Sequence, residues 1–376
     1  MDYGLYIHIP FCVKKCKYCD FISFDNRNDY KDAYISALIN EMSEYKGSSC
    51  DTVFIGGGTP TSLEDEDLEK LLRAVNDNFV LSDDCEFTAE ANPGTVTENK
   101  LKLMQKNGVN RLSIGVQSFD DSLLKKIGRI HTGREADNTI DLARKCGFDN
   151  ISIDLMFALP GQSFESFRET LCHAKAKKPE HISCYSLILE ENTPLFKEYE
   201  SGGLILPSED TERNMYDYAC DFLEKNGYMQ YEISNFAASG RESRHNIKYW
   251  QCREYIGIGL AAHSYYNGMR YSNTSDLSAY LSGKFHRGDE QILSVEDKVE
   301  EFMIMGLRMT NGVSKEEFKD RFGFDIYSLF GNKIERFAKG GFIGENDDRI
   351  FLTHKGVAVS NSVMCEFTDV NIKKID

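Results

Sequence analysis

The chain has 376 residues, enough for one large domain and a smaller companion, and its 41% hydrophobic content supports a sizeable core. A formal charge of −16, from 44 Lys plus Arg against 60 Asp plus Glu, argues against a nucleic-acid partner unless a local basic patch overcomes the field. No apolar run approaches the roughly 18 residues of a membrane span, the start MDYGLYIHIPFC lacks a signal-peptide pattern, and the eleven cysteines show no disulfide framework, which together predict a reduced, cytoplasmic protein.

The first element, GLYIHIP (4–10), reads as a strand and runs into CVKKCKYCDF (12–21), which sets three thiols in one short loop among Lys14, Lys15 and Lys17. The lysine charges are expected to favour thiolate. The loop can be read as a zinc site completed by His8 or His131, although no second Cys/His knuckle is present. It can also be read as a [4Fe-4S] site that has three thiolates where four are usual, leaving one iron open.

Five more strands are predicted at 52–58, 86–93, 111–118, 151–160 and 181–189, separated by amphipathic helical stretches that several Ser or Thr residues introduce as caps. Six strand-plus-helix units imply a parallel sheet with right-handed crossovers, too short for an eight-stranded barrel. The fold class expected is α/β, a partial (β/α)6 barrel, with an open doubly wound sheet as the alternative. The strand ends carry the polar residues. GGGTP (56–60) follows the second strand, its glycines expected to let a ligand approach the backbone. Glu90 in EANP, Gln117 in GVQSF and Asp154 in IDLMFALPGQ stand within apolar runs. Each alone reads equally well as a cap or a satisfied core group, but three at one end of a parallel sheet suggest a site. Arg129, in KKIGRIH, is expected to answer a carboxylate or to pair with Asp154.

Beyond about residue 235 the alternation stops. Ser239 to Arg253 holds Arg241, Arg244, Lys248 and Arg253 against the single acid Glu242, a local basic excess in an acidic chain. From about 294, three helices and a hairpin turning at ENDD outline a helix-rich, winged-helix-like C-terminal domain with a structural or capping role. The expected divisions are 1–235, 236–290 and 291–376.

CxxxCxYC after a first barrel strand resembles the signature of the radical S-adenosylmethionine (SAM) family. YIHIPFC, IGGGTPT, EANPGT, GVQSFDD, GRIHT and DLMFALPGQ are similar to its oxygen-independent coproporphyrinogen III oxidase-like branch, over essentially the whole chain. The resemblance implies a radical SAM barrel, cluster ligation by Cys12, Cys16 and Cys19, and SAM contacts from Tyr6, Tyr18, Gly57, Gly58, Thr59, Glu90, Gln117, Arg129 and Asp154. The true oxidases of this branch carry an N-terminal arm and a fourth cysteine two positions after the third. Here the first strand begins at about Gly4 and that position is Phe21, which argues against porphyrinogen decarboxylation.

HNIKYW (245–250) instead resembles the HNxxYW motif of HemW-type heme chaperones. That resemblance implies heme binding by His245, Asn246, Tyr249 and Trp250, and delivery to acceptor hemoproteins such as respiratory cytochromes. It also implies an electron donor that the sequence does not identify, and it allows a transient membrane contact and a dimer. Aromatic faces, cations and a histidine match the ring, propionates and iron of heme. Two readings of His245 stay open: axial ligand, with Cys252 and His263 as nearby alternatives, or a hydrogen-bonded residue in a segment closing the open side of the barrel. Whether SAM is cleaved or only held is also open at this level.

Overall fold

The computed structural model describes residues 2–285 and 288–372. Six strands, β1 (Tyr3–Ile9), β2 (Ser49–Gly57), β3 (Val80–Ala91), β4 (Arg111–Gln117), β5 (Ile151–Phe157) and β6 (His181–Ser186), pair in parallel in chain order. Helices Lys31–Met42, Asp65–Asn78, Glu98–Lys106, Gly133–Lys145 and Phe164–Ala176 lie between them. Thr97 and Ser163 cap two of these, and Thr132 with Glu135 forms a capping box at a third.

Strand alternation sorts the chemistry. Leu5, Ile7, Ile9, Val53 and Ile55 are buried in one cluster with helix residues such as Leu38 and Leu71. Their neighbours Tyr6, His8, Thr52 and Phe54 point the other way, into the barrel. The inner face is polar along most strands, with Glu86 and Glu90, Arg111 and Ser113, Asp154, and His181 and Ser183. The fold therefore places its titratable groups inside and its hydrophobic core between sheet and helices.

The sheet does not end with the sixth strand. Beyond β6 it continues antiparallel through β8 (Asn235–Ala237) to β7 (Met229–Glu232). At the other edge β9 (Tyr255–Ile258) pairs parallel with β1, followed by β10 (His263–Tyr266), β11 (Met269–Ser272) and β12 (Gly288–Ile292). Among the described residues this makes one open sheet of twelve strands. The region read as a loss of alternation thus extends the barrel wall. Its strands have three to five residues, too short to show a period against their polar neighbours.

The helix Arg244–Trp250 lies in the connection between β8, which pairs with β6, and β9, which pairs with β1. Its first amides are capped by a carboxylate from β3: Glu86 accepts from Arg244 N and His245 N, both at 3.0 Å.

The C-terminal region has its own core, including Val299, Phe302, Phe318, Phe330, Ile350 and Phe367. It is built from helices Val295–Gly306, Lys315–Phe322 and Ile326–Lys339 and a sheet ordered β13 (Val313–Ser314), β15 (Arg349–Leu352), β14 (Ile343–Glu345). In the ENDD turn, Asn346 Oδ1 accepts from the amides of Asp348 and Arg349. The fold is α/β, a parallel barrel wall with a winged-helix-like C-terminal part.

Candidate functional site

The loop after β1 is pinned on three sides. Gly58 N and Thr59 N donate to Ile9 O and Phe11 O, Cys12 N donates to Phe24 O, and Lys17 N donates to Ile127 O. Cys12, Cys16, Tyr18 and Cys19 then line one cavity of about 480 Å³ together with Gly57, Gly58, Thr59, Glu90, Gln117, Arg129 and Asp154. Every residue assigned from the resemblance to the cluster or to SAM, except Tyr6, lines this space. Tyr6 lines a neighbouring cavity instead, its hydroxyl donating to His8 Nδ1 at 2.9 Å.

The thiols share the cavity, yet among the described residues no three His, Cys, Asp or Glu side chains converge to hold a single metal ion. Three thiols at one cavity are a donor set that would suit a multi-iron cluster, with one iron for each thiolate. The two histidines weighed for zinc are engaged elsewhere: His8 Nε2 meets Ile22 O at 2.8 Å and His131 Nε2 meets Val116 O at 3.1 Å. The lysine charges act in the expected direction but do not prevail: Lys15 lowers the Cys19 thiol, and burial outweighs it. Lys17 is paired with Glu198 at 2.6 Å and Lys15 donates to Phe21 O, while burial raises the Cys12 thiol and pushes Cys19 up to about 11. Deprotonation would be left to a bound metal.

A polar relay joins two of the cysteines. Thr59 Oγ1 approaches Cys12 Sγ at 3.6 Å, Asn92 Nδ2 donates to Thr59 Oγ1 at 2.7 Å, Arg129 Nη2 donates to Asn92 Oδ1 at 2.7 Å, and Arg129 Nη1 lies 3.4 Å from Cys16 Sγ. Arg129 therefore answers Asn92, Gly115 O and a thiol, and makes no bond to Asp154. Its buried Nε has no protein partner. Asn92 was missed in the sequence; its signal was its place between Glu90 and Pro93 in the EANP motif.

The glycines also answer a packing demand. A Cβ on Gly57 would lie 2.2 Å from His8 Nδ1, and one on Gly58 would lie 2.5 Å from Ile9 O. With φ +97° at Gly57 as well, protein packing alone demands glycine. Gln117 also has a positive φ, +65°, where the β4–β5 register shifts. This strained bulge is anchored by Tyr185, whose hydroxyl donates to Gln117 Oε1 at 3.1 Å.

Glu90 accepts from Gly57 N at 3.1 Å, and burial with nearby Asp154 pushes its carboxyl up to about 7. Asp154 accepts from Ser113 Oγ and is also raised, mainly by burial. A raised carboxyl is protonated in the fold where the unfolded chain is already ionised, so its contribution is lost as pH rises from about 4.5 to 7. In urea titrations of cluster-free protein, E90Q is expected to fall less steeply over this window than wild type. Glu41, also pushed up to about 7, keeps its own slope. An unchanged slope in E90Q would remove Glu90 as its source.

The HNxxYW residues do not converge. His245 Nδ1 bonds Thr52 Oγ1 at 2.9 Å and Nε2 bonds the Tyr249 hydroxyl at 2.8 Å, while the ring stacks on Phe54 with centroids 5.4 Å apart. Asn246 faces the cysteine cavity, whereas Tyr249 and Trp250 face a second one. Trp250 packs under Arg308, whose guanidinium lies 4.4 Å from the ring. As placed, His245 has no free nitrogen for iron.

The radical SAM superfamily matches residues 6–173 and the HemN C-terminal domain matches residues 293–359. The chain is 40% identical to heme chaperone HemW of Bacillus subtilis, covering 96% of this chain and 98% of that protein. It is 41% identical to heme chaperone HemW of Lactococcus lactis, with 97% and 98% covered. This chain belongs to the HemW family of the radical SAM superfamily. The fold is shared with coproporphyrinogen III oxidase (HemN) of Escherichia coli, a radical SAM enzyme, at TM-score 0.84 and 23% identity over 98% of this chain and 90% of that one. Family membership accounts for the cavity at the carboxyl ends of the parallel strands, where this architecture keeps its chemistry.

Proposed function

We propose that this protein is a cytoplasmic heme chaperone. It holds a [4Fe-4S] cluster on Cys12, Cys16 and Cys19, keeps SAM at the iron without a protein ligand, binds heme, and passes the heme to acceptor hemoproteins, respiratory cytochromes among them. The observation that carries this reading is the single cavity that gathers three thiols and the polar strand ends, in a chain similar to HemW proteins over nearly its full length. When bound, such a cluster with SAM supplies one-electron chemistry able to split SAM into methionine and a 5′-deoxyadenosyl radical.

This chain's residues prepare the place. The Thr59–Asn92–Arg129 relay fixes the cavity wall between Cys12 and Cys16, and the Arg129 guanidinium offers a donor to the SAM carboxylate. Glu90, with its value near 7, and Asp154 face the remainder of the ligand. Gln117 is held toward it by the bulge and Tyr185. Among the described residues no helix is long and apolar enough to cross a membrane, so any membrane contact for heme delivery lies at a surface.

The test is anaerobic reconstitution followed by heme loading and mixing with an apo-cytochrome. Expected are about four irons and four acid-labile sulfides per chain, a heme band that survives desalting, and its transfer to the acceptor. The same sample given coproporphyrinogen III, SAM and reductant is expected to yield no decarboxylated product. Product without heme transfer would replace the chaperone reading with an oxidase.

A further inference from the structure

The second cavity, about 560 Å³, lies within the range typical of small-molecule sites. Its floor is the sheet extension. Period-two alternation puts His263 and Tyr265 on one face of β10. Tyr265 is opposite Tyr255 of β9 on one side and Arg270 of β11 on the other. Tyr249, Trp250 and Arg253 cover it from the helix Arg244–Trp250 and the turn that follows, and Tyr249 meets Tyr255 edge-on with centroids 4.7 Å apart. The remaining wall is the cysteine loop itself. Asp20 and Phe21 line both this cavity and the cysteine cavity, so the two spaces adjoin across the position where Phe21 stands.

Three features define the ligand class. The walls are aromatic on several sides, suited to a large flat ring. Two arginines reach the space, Arg253 and Arg270, each giving one nitrogen to a carboxylate, Glu317 and Glu301 respectively, at 2.9 Å. Arg270 Nε is buried without a protein partner, and each fork keeps further donors for anionic groups.

The third feature is a histidine. His8, His131, His173, His181, His245 and His354 all have ring nitrogens engaged in hydrogen bonds or ion pairs. Among the described histidines His263 alone has neither nitrogen engaged, and its side chain is exposed to this cavity. Cys252 lines the same space, but it is only partly exposed, whereas the His263 side chain is exposed.

We propose that heme occupies this second cavity, with His263 as its axial imidazole, the ring among Phe21, Tyr255 and Trp250, and its propionates at Arg253 and Arg270. The proposal rests on the heme-chaperone reading and adds to it the place and the ligand. It also puts the porphyrin beside the cluster loop, separated from the SAM cavity by Phe21.

Hemin titration of the full-length reconstituted protein tests it. H263A is expected to fold normally because the side chain is exposed and unbonded. It should bind hemin at least roughly tenfold more weakly, with a displaced Soret band, while iron, sulfide and SAM binding stay at wild-type levels. Free imidazole should restore the band position in H263A, a rescue that a merely structural role would not produce. R253A should weaken binding without moving the band, and unchanged affinity there would overturn the propionate assignment. Wild-type and H263A titrations that coincide would overturn the site while leaving the heme reading intact. Failure of wild type to retain hemin would overturn the heme reading itself.

Discussion

C16A is expected to lose the iron–sulfur cluster and, with it, SAM binding, while keeping its fold. Cys16 is half-buried, and its thiol lies 3.4 Å from Arg129 Nη1 and interacts with the Tyr18 hydroxyl, so removal of the thiol costs the apo fold about 1 kcal/mol. A cluster held as proposed would have no such reserve: with three thiolates for four irons, a second missing ligand would leave half of the cubane unsupported. Iron and sulfide analysis should drop to background after desalting, and SAM affinity by at least roughly a hundredfold, while the circular dichroism spectrum and thermal midpoint remain those of cluster-free wild type. Cys12 is the poorer probe because it is buried beside Thr59, where substitution disturbs packing as well. A full complement of iron and sulfide in C16A would show that the three cysteines are not the ligand set.

The second large effect is on stability. His245 is buried, with both ring nitrogens bonded, its ring stacked on Phe54 and its amide tied to Glu86. H245A opens a cavity and strands the hydroxyls of Thr52 and Tyr249 at once, a loss of about 3 to 5 kcal/mol. The pH dependence provides an independent mark. Burial, with Lys248 and Arg111 close by, lowers the imidazole to about 3 from an ordinary 6.5. The fold therefore holds a neutral ring where the unfolded chain takes up a proton, and this contribution is complete above pH 6.5 and lost as pH falls toward 3. H245Q, which cannot titrate, should lose stability in acid with a slope smaller by one proton, the other buried histidines His8, His131 and His181 keeping theirs. Heme retention in H245A should fall only in step with the folded fraction. Loss of heme at an unchanged midpoint would return His245 to the role of ligand.

These two positions mark how far the sequence carried. That Cys12, Cys16 and Cys19 would line one cavity was legible because they lie within one loop after a strand. Glu90, Gln117, Arg129 and Asp154 were legible because strand periodicity and parallel order bring the ends of successive strands to one rim. Asn92 and Tyr185 were not singled out: a polar residue beside a recognised motif announces nothing until its partner, Arg129 in one case and Gln117 in the other, is seen next to it.

The HNIKYW segment was recognised as a motif with two readings of His245 open, ligand or hydrogen-bonded closing residue, and only the fold shows both ring nitrogens bonded. A seven-residue helix sends adjacent side chains in different directions, so His245 enters the barrel, Asn246 faces the cysteine cavity and Trp250 packs beneath Arg308. The short strands β9 to β12 escaped notice for a related reason, since they are held by pairing with β1 and with one another more than by any periodic apolar run.

By itself the sequence determined the six strand-and-helix units, the triad of cysteines and the family they mark, because each depends on spacing along a few dozen residues. Only the tertiary structure decided which histidine is free. Thr52 and His245 are separated by 193 positions, and the partners that satisfy a buried ring or leave an exposed one open arrive from strands that meet only when the sheet has formed.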